Sequence, residues 1–119
     1  MKRFIKSFYY AIAGIQYHLK SGLNIKIQVL LGIIAITLGI ILSIDPLEWV
    51  LLTIIISGVL ALETLNSSIE LLCDVVTLDH HEGIKKIKDL AAGAVLLFSF
   101  GALIGGILIF LPKIWAFIP

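Results

Sequence analysis

The sequence has few charged residues and no excess of either sign. Only 14% of its 119 residues are Asp, Glu, Lys or Arg, whereas soluble domains hold about 25%. Hydrophobic residues make up 60% of the chain and the mean hydropathy is +1.10. A chain of this composition cannot cover itself with a water-compatible surface, so we expect an integral membrane protein.

Other scarcities exclude several function classes. Cys73 is the single cysteine, which rules out an intramolecular disulfide and the C-x-x-C metal and redox motifs. The formal net charge is +1 and the basic residues are scattered among apolar ones. Because no basic stripe could follow a phosphate backbone, nucleic acid is not an expected partner. Nothing resembles a P-loop or the glycine-rich loop of protein kinases.

Three apolar stretches predict helices that cross a membrane. A hydrocarbon core of about 30 Å needs about 20 helical residues. The stretches give predicted transmembrane helices at residues 24–44, 48–74 and 88–111. Residues 1–21 carry apolar side chains at helical spacing, which predicts an amphipathic helix lying in the membrane interface. The predicted fold is therefore all-α, with a single membrane domain over residues 1–119.

Basic residues predict the orientation in the membrane. Only Lys113 follows the third predicted span, whereas the other basic residues lie before or at the start of the first span, or between the second and third up to the start of the third, at Lys2, Arg3, Lys6, Lys20, Lys26, Lys85, Lys86 and Lys88. Three spans place both of these groups on one side, and Lys and Arg are retained on the cytoplasmic side. We therefore expect a cytoplasmic N-terminus, with the turn at Asp45 and the C-terminal tail outside.

The second predicted span carries a narrow polar face. At about 100° per residue, the face covers about 100° of arc and consists of Glu63, Asn66, Ser67, Glu70 and Asp74. If the helix begins at Trp49, Glu63 lies about 21 Å along it, inside the hydrocarbon core. An acid at this depth is costly and is a functional candidate by default. The alternative is that Glu63 and Asn66 only bridge helices through hydrogen bonds.

The chemistry of this face narrows what it can bind. Carboxylates beside an amide, together with Lys88 and Asp89 at the next helix, form an oxygen-rich site that suits Mg²⁺ and phosphate groups. A carboxylate can also accept a proton from a hydroxyl, which phosphoryl transfer to an alcohol requires. His80 and His81 alone do not make a metal site, so we interpret them as a solvated pair in the loop.

Two segments carry a specific combined motif. They are Glu63-Thr64-Leu65-Asn66-Ser67-Ser68-Ile69-Glu70 followed by Asp74, and Lys88-Asp89-Leu90-Ala91-Ala92-Gly93-Ala94-Val95-Leu96. This motif resembles the signature of the small prokaryotic membrane lipid kinases, the diacylglycerol kinase and undecaprenol kinase family. The resemblance covers nearly the whole chain. It implies a homotrimeric helical bundle in the bacterial inner membrane that transfers the γ-phosphate of MgATP to a lipid hydroxyl. The run after Lys88-Asp89 is more similar to the undecaprenol kinase branch.

The resemblance also implies a role for each matching residue. Glu63 would be the catalytic base, and Glu70 would hold Mg²⁺, the implied cofactor. The residues implied to bind ATP are Arg3, Tyr10, Glu70, Asp74, Asp79, His80, His81, Lys88 and Asp89. The residues implied to contact the lipid are Asn24, Lys26, Glu63 and Asn66.

One position departs from the pattern of the family. Members commonly carry a Glu, as a second metal carboxylate, two residues before the Asn that starts the first span, and this chain has Gly22 there. Either the remaining ligands suffice, or the metal is held more weakly, or the chain is a degenerate member with an impaired metal site. We favour an active kinase with altered metal dependence. The rival from another class is a non-catalytic oligomeric membrane protein.

Overall fold

The computed structural model describes residues 1–117, which form four α-helices. The helices are α1 (Lys2–Ser21), α2 (Leu23–Ile41), α3 (Pro46–Val76) and α4 (Glu82–Phe117). The last three are each long and apolar enough to cross a membrane. The predicted all-α fold with three membrane-spanning helices is confirmed. Residues 118 and 119, the end of the predicted single domain 1–119, lie outside the described residues.

Most apolar side chains face outward from the bundle. Leu90, Leu97 and Leu108 are typical, with roughly three quarters of each residue exposed. Exposing an apolar surface of this extent to water is unfavourable. In lipid it is not, and helices satisfy their own backbone hydrogen bonds there. The chain is therefore a multi-pass membrane protein.

The turn between α2 and α3 closes with a Schellman motif. Ser43 has a positive φ of 49°, and the N–H of Ile44 donates to the carbonyl of Gly39 at 3.1 Å. The N–H of Ser43 donates to the carbonyl of Ile40 at 3.2 Å. These bonds satisfy carbonyls that a helix end otherwise leaves unpaired. They end α2 at Ile41, three residues before the predicted span ends at residue 44.

Charged groups secure the start of α3 to the end of α4. Pro46 occupies the first turn of α3, where its missing N–H costs no hydrogen bond. Glu48 Oε2 accepts from the N–H of Asp45 at 2.7 Å. Lys113 Nζ lies 3.0 Å from Asp45 Oδ2 and 3.1 Å from Glu48 Oε2. Beneath this cluster, Ile44, Leu52 and Ile109 form the hydrophobic core.

Helices α3 and α4 pack closely because glycines leave room for large side chains. A Cβ at Gly58 would lie 2.2 Å from Phe98 Cζ, and a Cβ at Gly105 would lie 2.7 Å from Ile55 Cδ1. Small residues of this kind allow close helix approach in membranes. A Cβ at Gly93, Gly101 or Gly106 would meet no heavy atom of the described chain within 4 Å. These three glycines of α4 therefore face open space.

Helix α1 joins the bundle near its C-terminal end. Its residues Ile15, His18 and Leu19 line a pocket shared with α2 and α3. Gly22 connects α1 to α2 in an extended conformation, with φ −103° and ψ 135°. The position of α1 in the membrane interface stays a prediction.

Candidate active site

A polar cavity of about 500 Å³ lies between α1 and α3. Its α1 wall includes Tyr17, His18 and Ser21, and its α3 wall includes Ser67, Glu70 and Asp74. The acids at positions 70 and 74 are therefore brought to one cavity, as expected for residues on one helical face.

The polar face of α3 passes from buried to exposed along the helix. Glu63 and Asn66 are only 4% and 7% exposed, whereas Glu70 and Asp74 are exposed. Asn66 Nδ2 donates to Glu70 Oε1 at 3.2 Å, which fixes the orientation of that carboxylate. Asn66 Oδ1 is buried without a hydrogen-bond partner in the described chain.

The carboxylate of Glu63 has a partner on the neighbouring helix. Gln28 Nε2 of α2 donates to Glu63 Oε2 at 3.0 Å. Sequence reasoning missed Gln28 as a functional candidate. The available signal was a lone amide near the start of an apolar span, since an acid buried in a membrane needs a polar partner on another helix.

A second contact joins α3 to α4 at the edge of the cavity. Lys88 Nζ lies 2.5 Å from Asp74 Oδ1, and both side chains are partly exposed. The ammonium of Lys88 is therefore held beside an acid that lines the cavity. This arrangement keeps a cation close to where phosphate groups would lie, while leaving it in reach of solvent.

One chain does not assemble all the residues predicted for ATP. Arg3 and Tyr10 are exposed on α1, outside the lining of the cavity. The loop residues Asp79 and His80 and the α4 residue Asp89 are also exposed. His81 Nδ1 accepts from the N–H of Gly83 at 3.1 Å. This bond satisfies a free donor at the start of α4, and the helix accordingly begins at Glu82, ahead of the predicted span that starts at residue 88.

The residues predicted for the lipid divide into two groups. Asn24 and Lys26 are exposed in the first turns of α2, and Lys26 Nζ reaches the carbonyl of Lys20 at 3.5 Å. Glu63 and Asn66 are buried deeper in the bundle. The structure does not bring these two pairs into one contact.

The acids of the cavity are too few to enclose a metal ion by themselves, but they suit Mg²⁺ that also binds water and phosphate. Within residues 1–117 no group of three or more His, Cys, Asp or Glu side chains could enclose a metal ion. Mg²⁺ usually takes only one or two carboxylates and completes its shell with water and substrate phosphates. Glu70 and Asp74 on the cavity wall meet that requirement.

Comparison with known proteins decides the family. The profile of the prokaryotic diacylglycerol kinase family matches residues 9–110. The chain belongs to this family. This prokaryotic diacylglycerol kinase family member is 36% identical over 114 residues to the undecaprenol kinase of Bacillus subtilis, covering 96% of this chain and 93% of that protein.

Two further relatives of the family member carry a different name. It is 36% identical over 109 residues to the diacylglycerol kinase of Synechocystis, covering 91% of this chain and 62% of that protein. It is 34% identical over 106 residues to the diacylglycerol kinase of Helicobacter pylori strain J99, covering 88% and 83% of the two chains. The predicted family and the predicted lipid kinase activity with a nucleotide donor are confirmed.

Proposed function

We propose that this protein transfers the γ-phosphate of MgATP to the terminal hydroxyl of undecaprenol, in preference to diacylglycerol. The observation that carries the proposal is the polar cavity with Glu70 and Asp74, set directly beyond the buried Glu63 on one helix of an apolar bundle. The undecaprenol kinase that matches this chain over nearly the full length of both proteins supports the choice of acceptor. The run of residues 91–96 also supports it.

In this mechanism Glu63 accepts the proton of the lipid hydroxyl. Gln28 holds one oxygen of the carboxylate and so fixes its orientation. As the O–H bond breaks, the hydroxyl oxygen bonds to the γ-phosphorus, the bond from phosphorus to the β,γ-bridging oxygen breaks, and ADP leaves. Catalysis of such transfers is mainly positioning and stabilisation of phosphate charge.

Charge on the phosphates is offset from the cavity edge. Lys88 supplies a cation beside Asp74. Glu70 and Asp74 are the residues that would hold Mg²⁺, which neutralises phosphate charge when bound. Asn66 orients Glu70 for this role through its side-chain hydrogen bond. We assign Asp79, His80, His81 and Asp89 to the nucleotide, and Asn24 and Lys26 to the approach of the lipid.

The protein works as a homotrimer in the bacterial inner membrane, with a cytoplasmic N-terminus, in this proposal. Arg3 and Tyr10 do not line the cavity of their own chain, so sites shared between subunits would give them a place at the nucleotide. Gly93 and Gly101 of α4, where a Cβ would meet no heavy atom of residues 1–117 within 4 Å, offer an open surface for a neighbouring helix. The grouping of basic residues supports the orientation.

The test is transfer of labelled γ-phosphate from ATP by the purified protein in mixed micelles with Mg²⁺. Undecaprenol and diacylglycerol are compared as acceptors. Glu63→Gln should abolish transfer while the oligomer stays folded. Glu48→Gln is the matched control, because it makes the same change on α3 about 22 Å away at 1.5 Å per residue.

The transfer assay distinguishes an undecaprenol kinase, a diacylglycerol kinase and a non-catalytic protein. Transfer that requires Glu63 and favours undecaprenol supports the proposal. Transfer that favours diacylglycerol overturns the acceptor. No transfer to either lipid by an intact oligomer overturns the kinase and favours the non-catalytic alternative.

A further inference from the structure

An apolar cavity adjoins the polar one. It has a volume of about 270 Å³ and lies where α1, α2 and α3 meet, with Ile15, Leu19 and Ile25 among its lining residues. Two residues, His18 and Thr64, line both this cavity and the polar cavity of Glu70 and Asp74. His18 therefore stands at a boundary between a space suited to hydrocarbon and a space suited to charged groups.

The imidazole of His18 has an unused polar atom. The residue is only 6% exposed, and Nε2 is buried without a hydrogen-bond partner among residues 1–117. Buried polar groups in native proteins are nearly always hydrogen-bonded, and one left unpaired costs stability. A buried Nε2 at this boundary is accounted for if it serves a group that binds there.

Gly22 lies next to this atom. Gly22 also lines the polar cavity, and a Cβ at this position would lie 3.8 Å from His18 Nε2. The backbone of Gly22 is extended and has a negative φ, so its conformation does not require glycine. A side chain at position 22 would therefore stand beside the imidazole at the polar cavity, and glycine places none there.

We propose that His18 binds the hydroxyl group of the acceptor lipid, an inference that rests on the function proposed above. The hydrocarbon of a lipid alcohol suits the apolar cavity, and its hydroxyl then lies at the boundary that His18 and Thr64 share. Nε2–H donates to the hydroxyl oxygen and holds it in place. This bond does not use the hydroxyl proton, which stays free for the base of the proposed mechanism.

His18→Phe and His18→Gln form the matched pair that tests this role. Phe keeps a ring of similar size and removes the polar atom, whereas Gln places an amide Nε2 at similar reach. Lipid and ATP are varied separately in the transfer assay. Loss of one neutral hydrogen bond should lower kcat/KM for the lipid alcohol about 3- to 10-fold in His18→Phe. The KM for ATP should stay unchanged, and His18→Gln should recover most of the loss.

A binding measurement distinguishes failure of this role from failure of the kinase. The unfolding temperature is measured with undecaprenol and with the same polyprenyl chain lacking the hydroxyl, since a ligand that binds the folded state raises it. The unfolding temperature of the wild type should rise more with undecaprenol than with the hydroxyl-free chain, whereas that of His18→Phe should rise equally with both. The role of His18 would be overturned if the alcohol and the hydroxyl-free chain shift the unfolding temperature of the wild type just as they shift that of His18→Phe. It would also be overturned if His18→Phe loses kcat/KM equally for ATP and for lipid and His18→Gln restores neither. The binding arm stays decisive even if the wild type transfers no phosphate.

Discussion

Gln28 and Glu63, which are 35 positions apart in the sequence, are joined across α2 and α3 by a 3.0 Å hydrogen bond from the amide to the carboxylate. Glu63 is 4% exposed, and a buried carboxylate without partners is strongly destabilising. The amide therefore both accommodates the acid in the bundle and fixes its direction. Its own Oε1 remains buried without a partner in the described chain.

Replacing Gln28 tests whether its hydrogen bond directs the carboxylate of Glu63 for catalysis. Gln28→Leu removes the donor, so we expect kcat to fall about 10-fold, as for loss of a hydrogen bond to a charged group. The KM for ATP should not change. Gln16→Leu makes the same replacement at an exposed position of α1 and should leave kcat unaltered. A Gln28→Leu enzyme with wild-type kcat would show that Glu63 needs no orienting partner.

The pair of Lys88 and Asp74 should affect nucleotide binding more than stability. Both side chains are partly exposed, and exposed ion pairs add little to folding. We expect Lys88→Met to raise the KM for ATP about 10-fold or more, with little change in thermal unfolding. Lys85→Met, at an exposed lysine one turn earlier on α4, is the control. Equal KM values in the two variants would remove Lys88 from the nucleotide site.

A carboxylate introduced at position 22 should lower the Mg²⁺ concentration that the enzyme needs. The extended backbone of Gly22 suits any residue, but a new Cβ would press on Ile25 Cγ2 at 3.2 Å. Gly22→Gln controls for that bulk. We expect Gly22→Glu, but not Gly22→Gln, to reach half-maximal activity at a several-fold lower Mg²⁺ concentration than the wild type. The hypothesis of altered metal dependence fails if Gly22→Glu and wild type titrate alike.

A larger residue at position 58 should destabilise the packing of α3 against Phe98. A Cβ at Gly58 would overlap the ring, so Gly58→Ala forces either the ring of Phe98 or the two helices to move. We expect a loss of about 1–3 kcal/mol in unfolding free energy. Gly14→Ala is the matched control because its Cβ would meet no heavy atom of residues 1–117 within 4 Å. It should be neutral or stabilising by up to about 1 kcal/mol, since Ala favours helix over Gly. Equal unfolding midpoints for the two variants would contradict this packing.

Patterns along single helices were enough to predict much of the molecule. Apolar length predicted the three spans, and the 100° rotation per residue placed Glu70 and Asp74 on one face. The turn at Asp45 followed from its proline and acids. Each of these features depends only on residues close together in the chain, which is why they could be predicted from it.

Contacts between helices could not be predicted in the same way. The bond from Gln28 to Glu63 and the pairing of Asp74 with Lys88 depend on the relative rotation and register of two helices. No single-helix pattern specifies that register. His18 was missed for the same reason, because on α1 alone it looks like one more polar residue. Its burial becomes visible only where α1 meets α2 and α3.

The ion pairs of Lys113 lie at one end of the bundle and both cavities lie toward the other. Lys113 with Asp45 and Glu48, above the core of Ile44, Leu52 and Ile109, fastens the ends of α3 and α4 together. Local opening is easiest where buried contacts are few. Amide hydrogens around Leu52 should therefore exchange with solvent more slowly than those around Leu71. Under the proposed function, lipid and nucleotide enter and leave at the end with the cavities while the opposite end keeps the helices in register.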